Sequence, residues 1–96
     1  MKMLMIIGPP GRREEIRELI GRHGVHAYSE FASVAGEGAT GRRLGTHVFP
    51  DTSALIFTVV PADKKDELLA ALRDFSAGLF AAEGLRAFVP PVEEMI

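Results

Sequence analysis

The segment Ser53-Ala-Leu-Ile-Phe-Thr-Val-Val60 is the clearest strand in the chain and constrains the fold more than any other stretch. Side chains alternate across a strand. Leu55, Phe57 and Val59 therefore fall on one face, and Ala54, Ile56 and Val60 on the other. Lys2 to Ile7 has the same property, with Met3, Met5 and Ile7 alternating with Leu4 and Ile6 until Gly8-Pro9-Pro10-Gly11 breaks the run. A short apolar run closed by turn residues reads as a buried strand. Here both strands are apolar on both faces, so both faces need a cover.

The intervening segments switch period. Residues 12–23 carry Ile16, Leu19, Ile20 and His23 at helical spacing, with Glu14 and Glu15 in the first turn and Gly24 placed to end the helix. Acids near a helix start and glycine just past its end are the favoured arrangement. Val25 to about Ala35 is rich in β-branched, aromatic and small residues and reads as a second strand. Gly36 to Asp51 reads as a loop of roughly 15 residues, long enough that a functional role is the common explanation. Beyond Pro61, Asp63 is the expected N-cap of a second helix. Its apolar face is Leu68, Leu69, Leu72 and Phe75. Gly84 starts the last strand, Leu85 to Val89, and Pro90-Pro91 ends it before a short acidic tail.

The order β-α-β-β-α-β predicts an α+β, ferredoxin-like fold in a single domain over residues 1–96, with a four-stranded antiparallel sheet and both helices on one face. The other sheet face is apolar and unattended. Residues 90–96 are too few to cover it. A symmetric homo-oligomer packed through the sheets is the expected solution.

Charge narrows the function classes. The net charge is −2, and acids and bases interleave through Arg12, Arg13, Glu14, Glu15, Arg17, Glu18 and Arg22. Nucleic-acid binding needs a basic face to neutralise phosphates, and none is legible. The chain has no cysteine, which removes disulfide and thiolate chemistry. The apolar start is too short for a secretory signal and no run reaches transmembrane length, so a cytoplasmic protein that is not membrane-inserted is expected.

Two motifs look more informative than they are. Ile6-Ile7-Gly8-Pro9-Pro10-Gly11 opens like a phosphate-binding loop, but Arg12-Arg13-Glu14-Glu15 follows, without the lysine and hydroxyl that chemistry requires. Gly36-Glu37-Gly38-Ala39-Thr40-Gly41 matches the dinucleotide fingerprint literally. No helical period follows it, so no helix N-terminus would meet a pyrophosphate. What remains is local physics. Glycines let backbone amides approach an anion, and Arg42 and Arg43 supply charge-assisted donors. The candidate ligand-binding residues are Gly36, Glu37, Gly38, Thr40, Arg42 and Arg43. His47 with His23 or His26 forms an alternative metal-binding set. No nucleophile-and-base arrangement is legible, and no catalytic residue is assigned. A small ferredoxin-like enzyme is the remaining alternative.

Taken in order, these residues resemble the PII-like signalling proteins of the nitrogen regulatory protein PII superfamily. The resemblance is carried by the strand Met3–Ile7, a helix, a second strand running into Gly36-Glu37-Gly38, a long loop, a strand ending Val59-Val60-Pro61, and a helix opened by Ala62-Asp63. It covers about residues 2–90 and marks the chain as a divergent member. It implies a homotrimer with loop 36–51 as the T-loop, which contacts a partner protein such as a membrane transporter or an enzyme. It also implies a small-ligand site between subunits, for a nucleotide or small anion, to which Gly36 and Gly38 map; an adenine nucleotide is the family's ligand class. The chain departs from the family pattern before the last strand. Ser76-Ala77-Gly78-Leu79-Phe80-Ala81-Ala82-Glu83-Gly84 has no lysine and reads partly as helix, so the usual ATP-binding turn is missing. The only tyrosine is Tyr28, outside the loop.

Overall fold

The computed structural model describes residues 1–35, 37–38, 41–42, 52–80 and 83–96. In chain order the elements are β1 (Lys2–Gly8), a 3-10 turn (Pro10–Arg12), α1 (Arg13–Arg22), β2 (Ser29–Ala35), the short strands β3 (Glu37–Gly38) and β4 (Gly41–Arg42), β5 (Thr52–Val60), α2 (Ala62–Ala77) and β6 (Arg86–Phe88). The main sheet runs β2-β5-β1-β6. Every neighbouring pair in it is antiparallel. The two strands that are apolar on both faces, β1 and β5, take the centre, where each is flanked on both sides.

Register separates the two faces. Leu4 and Ile6 of β1, with Ala54, Ile56 and Val60 of β5, are buried against Ile16, Leu19 and Ile20 of α1 and Leu68 and Leu72 of α2. The α1 stripe read from sequence is therefore the core-facing one. Gly8 sits in this layer because α1 comes so close: a Cβ there would lie 3.2 Å from Ile16 Cδ1. On the opposite face Met5 stands beside Phe57 and Phe88, and Ile7 beside Leu55. These residues have no helix over them. Phe31 is 57% exposed and Phe88 52%.

The strand expected from Val25 begins only at Ser29. The reason lies in how α1 ends. Gly24 adopts φ +83°, a left-handed conformation that costs other residues energy. Its amide donates to the Gly21 carbonyl at 3.0 Å, and the Val25 amide donates to the Ile20 carbonyl at 3.0 Å. This paired arrangement closes the helix and buries the apolar residue after the glycine; Val25 is indeed in the core. Residues 25–28 thus belong to the cap. The hydroxyl of buried Thr58 donates to the Ala27 carbonyl at 2.6 Å and ties the segment to β5. Further along, the β2–β5 register shifts between Phe31 and Val34, which inserts one extra residue in β2. Such a bulge bends an edge strand.

Asp63 is not the N-cap of α2. Pro61 holds that position, with extended backbone angles, and its carbonyl accepts from the Lys65 amide at 3.0 Å. Asp63 lies in the first turn, where its charge still complements the helix dipole. The last strand is shorter than expected, Arg86–Phe88 within Leu85–Val89. The helical character expected in residues 76–84 stops early: α2 ends at Ala77.

A polar latch joins the end of α1 to the start of α2. His23 Nδ1 lies 2.6 Å from Glu67 Oε2. Lys64 Nζ donates to the His23 carbonyl at 2.8 Å and approaches Glu67 at 3.3 Å. These contacts, His23 first, hold the Glu67 carboxyl below its ordinary range.

Gly24→Ala is expected to destabilise the fold by about 1 kcal/mol through backbone strain alone, because only Lys64 Nζ, at 4.0 Å, would meet the added Cβ. For a domain of this size that lowers Tm by roughly 4–8 °C. Thermal unfolding at fixed protein concentration checks it, and an unchanged Tm would rule out the cap as described. Glu67, with its pKa depressed in the folded state, contributes stability above its unfolded pKa and loses it as pH falls through the folded value. The Tm gap between wild type and Glu67→Gln should therefore shrink on acidification below about pH 4. A gap that widens there contradicts the assignment.

Candidate functional site

One end of the sheet gathers the residues of interest. Gly8 ends β1, Ala35 ends β2, Thr52 starts β5 and Arg86 starts β6, all at the same end. Ala35 stands opposite Thr52 in the ladder, so the excursion 36–51 is pinned at its base by strand pairing. It does not leave as plain loop. Glu37 pairs with Arg42 and Gly38 with Gly41 in a small antiparallel ladder. Of the glycines that mimic a dinucleotide fingerprint, Gly38 and Gly41 lie in strand. Of the candidate ligand residues, Glu37, Gly38 and Arg42 are brought together by this ladder. Gly36, Thr40 and Arg43 lie outside the described residues.

At the other lateral edge of the same end, Arg12 braces the turn before β6. Its Nε and Nη2 donate to the two carboxylate oxygens of Glu83, both at 3.0 Å. Its Nη1 donates to Glu15 at 3.0 Å. The guanidinium carbon sits 5.5 Å from the centre of the exposed Phe80 ring. Glu83 in turn accepts the Phe80 amide at 3.1 Å and gives its own amide to the Phe80 carbonyl at 2.9 Å. Arg12, then the Phe80 amide, hold the Glu83 carboxyl below its usual range. A guanidinium fork and a backbone N–H are the donors a phosphate would take. Here a carboxylate of the chain itself fills them. Sequence reading missed this brace because its partners are 71 residues apart.

Arg86 was also missed. It opens β6 immediately after that turn, is exposed, and makes no ion pair among the described residues. It shares the uncovered sheet face with Ile7. The hairpin on the β2 side and Arg86 on the β6 side are three strand spacings apart, roughly 14 Å.

A second polar cluster supports the β2 edge. Glu30 points to the helix side. It accepts from Arg17 Nη1 at 3.2 Å and lies 3.8 Å from Arg13 Nε. Arg13 Nε and Glu30 Oε2 are buried without a hydrogen-bond partner among the described residues. The pair holds α1 over the strand that feeds the hairpin.

The histidines are separated from this end. His23 and His26 lie at the opposite end of the sheet, roughly 27 Å away along β5, and His23 is engaged by Glu67. His47 lies outside the described residues. Among the described residues no group of three or more His, Asp or Glu is placed to hold a metal ion, and no helix is long and apolar enough to cross a membrane.

Known proteins place this architecture. A search of curated proteins finds no match. Among solved structures, the chain is similar to CPII from Thiomonas intermedia K12, described as bound to ADP and bicarbonate, with 24% identity, 97% of this chain and 88% of that chain covered, and a TM-score of 0.68. It is similar to a putative PII-like signaling protein from Thermus thermophilus, at 20% identity, 95% and 85% coverage and a TM-score of 0.69. A DUF3240 family protein from Shewanella baltica OS155 matches at 16% identity, 98% and 91% coverage and a TM-score of 0.73. At these identities the likeness concerns the fold. The model of the family "Nitrogen regulatory protein P-II" matches residues 1–96, and the chain belongs to that family.

Proposed function

We propose that this chain acts as a regulator rather than a catalyst: a homotrimer that senses a small ligand at the cleft between its subunits, with segment 36–51 as the T-loop that touches a partner protein such as a transporter or an enzyme. The observation that carries the reading is the uncovered apolar sheet face, with the Glu37–Arg42 ladder and Arg86 at one end of it. An apolar face of that kind calls for association. In a closed ring each copy meets its neighbour through two different surfaces. The β2 edge of one copy then faces the β6 side of the next. Gly38 and Arg42 of one subunit, with Gly36, Glu37, Thr40 and Arg43 beside them in sequence, would share a cleft with Arg86 of the other.

The ligand class follows from those donors: an anion, and by the family an adenine nucleotide. CPII, bound to ADP and bicarbonate, supports testing both. The chain's own Glu83 occupies the Arg12 guanidinium and the Phe80 amide beside β6. Arg86 and the hairpin are therefore the groups left to meet phosphate, and the mode of binding differs from one built on a basic turn.

Two measurements test this. Light scattering should give a mass near three times that of the chain; a monomer at micromolar concentration overturns the sheet-packed trimer. Calorimetric titration with ADP, with and without bicarbonate, should detect binding to wild type. Arg42→Ala with Arg43→Ala should weaken it by about 10- to 100-fold, as for lost charge-assisted hydrogen bonds, while leaving Tm unchanged. Unaltered affinity in the double variant removes both arginines from the site.

A further inference from the structure

On the helix side of the sheet, an open groove of about 320 Å³ runs between α2 and β6. Leu69 and Leu72 form its helix wall and Leu85, Ala87 and Val89 its strand wall. Arg73 and Ser76 supply the polar margin. Arg73 makes no ion pair among the described residues. As the last strand of the sheet order, β6 also keeps one backbone edge unpaired by the main sheet. Such an edge accepts an added strand.

We propose that this groove receives the segment Val92–Ile96 of a second copy of the chain. The segment matches it in chemistry. Met95 is 62% exposed and Ile96 wholly so, which leaves most of both apolar side chains uncovered in their own subunit. Glu93 and Glu94 are exposed and carry the charge that Arg73 lacks a partner for. In extended form Val92–Ile96 spans about 17 Å, the same number of residues as the strand wall Leu85–Val89.

The segment does not serve its own groove. The Pro90 carbonyl accepts from the Met3 amide at 3.1 Å, and Pro91 pairs with Lys2. The chain therefore keeps to the side of β1 as it passes the end of β6. Val92-Glu93-Glu94-Met95-Ile96 contains none of the glycine, asparagine or aspartate residues that a tight reversal uses. Residues 93–96 are exposed, where another copy can take them. The contact lies on the helix side of β6, through Leu85, Ala87 and Val89, whereas the sheet-to-sheet packing uses the opposite face.

The chain has no cysteine, which makes cross-linking clean. Ser76→Cys with Met95→Cys, mildly oxidised and run on a non-reducing gel, should give covalently joined multimers. Ala70→Cys with Met95→Cys, using an exposed α2 residue outside the groove, should give few. Adding Arg73→Glu to the first pair should lower the joined fraction by about fivefold, as for one lost ion pair. Glu93→Lys with Glu94→Lys on that background should restore it. A disulfide closed only within one chain, no disulfide at all, or equal joining from Ala70→Cys overturns the proposal. The solution mass of the unmodified protein reads the sheet packing independently, so the two failures are distinguishable.

Discussion

The sheet is apolar on both faces and the chain has helices for only one. Everything else in the molecule is arranged around that imbalance. β1 and β5, which carry apolar residues on both faces, occupy the centre, and their helix-facing residues meet the buried stripes of α1 and α2. A fully buried large apolar side chain is worth about 1.5–3 kcal/mol. The helix-facing layer thus carries most of the hydrophobic stabilisation available to a chain of this length. The remaining face, with Met5, Ile7, Leu55 and Phe57 side by side, would be a liability in an isolated copy.

The same topology sorts the polar residues between the two ends of the sheet. At one end, Lys64 and Glu67 fasten the start of α2 to the end of α1, and Thr58 ties the segment after it to β5. At the other, strand ends feed turns that carry glycine and arginine. Glu83 illustrates the division. Its carboxylate accepts a guanidinium fork and a backbone amide, so the Arg12 and Phe80 donors are satisfied within the chain. Arg86, next along, has no such partner among the described residues and stays available. The two arginines differ in role because one has acids on three-residue and long-range spacing around it and the other faces an apolar sheet surface.

Much of this was legible in the sequence, for identifiable reasons. The strands around Ile6 and Ile56, the stripe Ile16-Leu19-Ile20 and the glycine at position 24 are local signals, fixed by side-chain period and by the one residue type that tolerates φ +83°. The errors came where tertiary structure overrode local preference. Val25 has strand propensity, yet closing the α1 cap buries it more effectively. Asp63 is a good N-cap by type, but Pro61 arrives first with suitable backbone angles. The Arg12–Glu83 brace joins residues far apart in sequence and leaves no periodic trace. The β3–β4 ladder was concealed by glycines, which read as loop whether or not they pair.

That ladder also bears on how a site at this end could report its state. It consists of two residue pairs, Glu37 with Arg42 and Gly38 with Gly41, on a base fixed by the pairing of Ala35 with Thr52. A two-stranded ribbon of this size is marginal on its own, whereas the base belongs to the main sheet. A ligand that binds the formed ladder tenfold better than the unformed one shifts the balance by about 1.4 kcal/mol. That is small beside the stability of a domain but comparable with the whole stability of such a ribbon. The rigid base confines the change to the segment beyond it. Under the proposed function, coupling between an anion at a subunit cleft and the shape offered to a partner would need no rearrangement of the core.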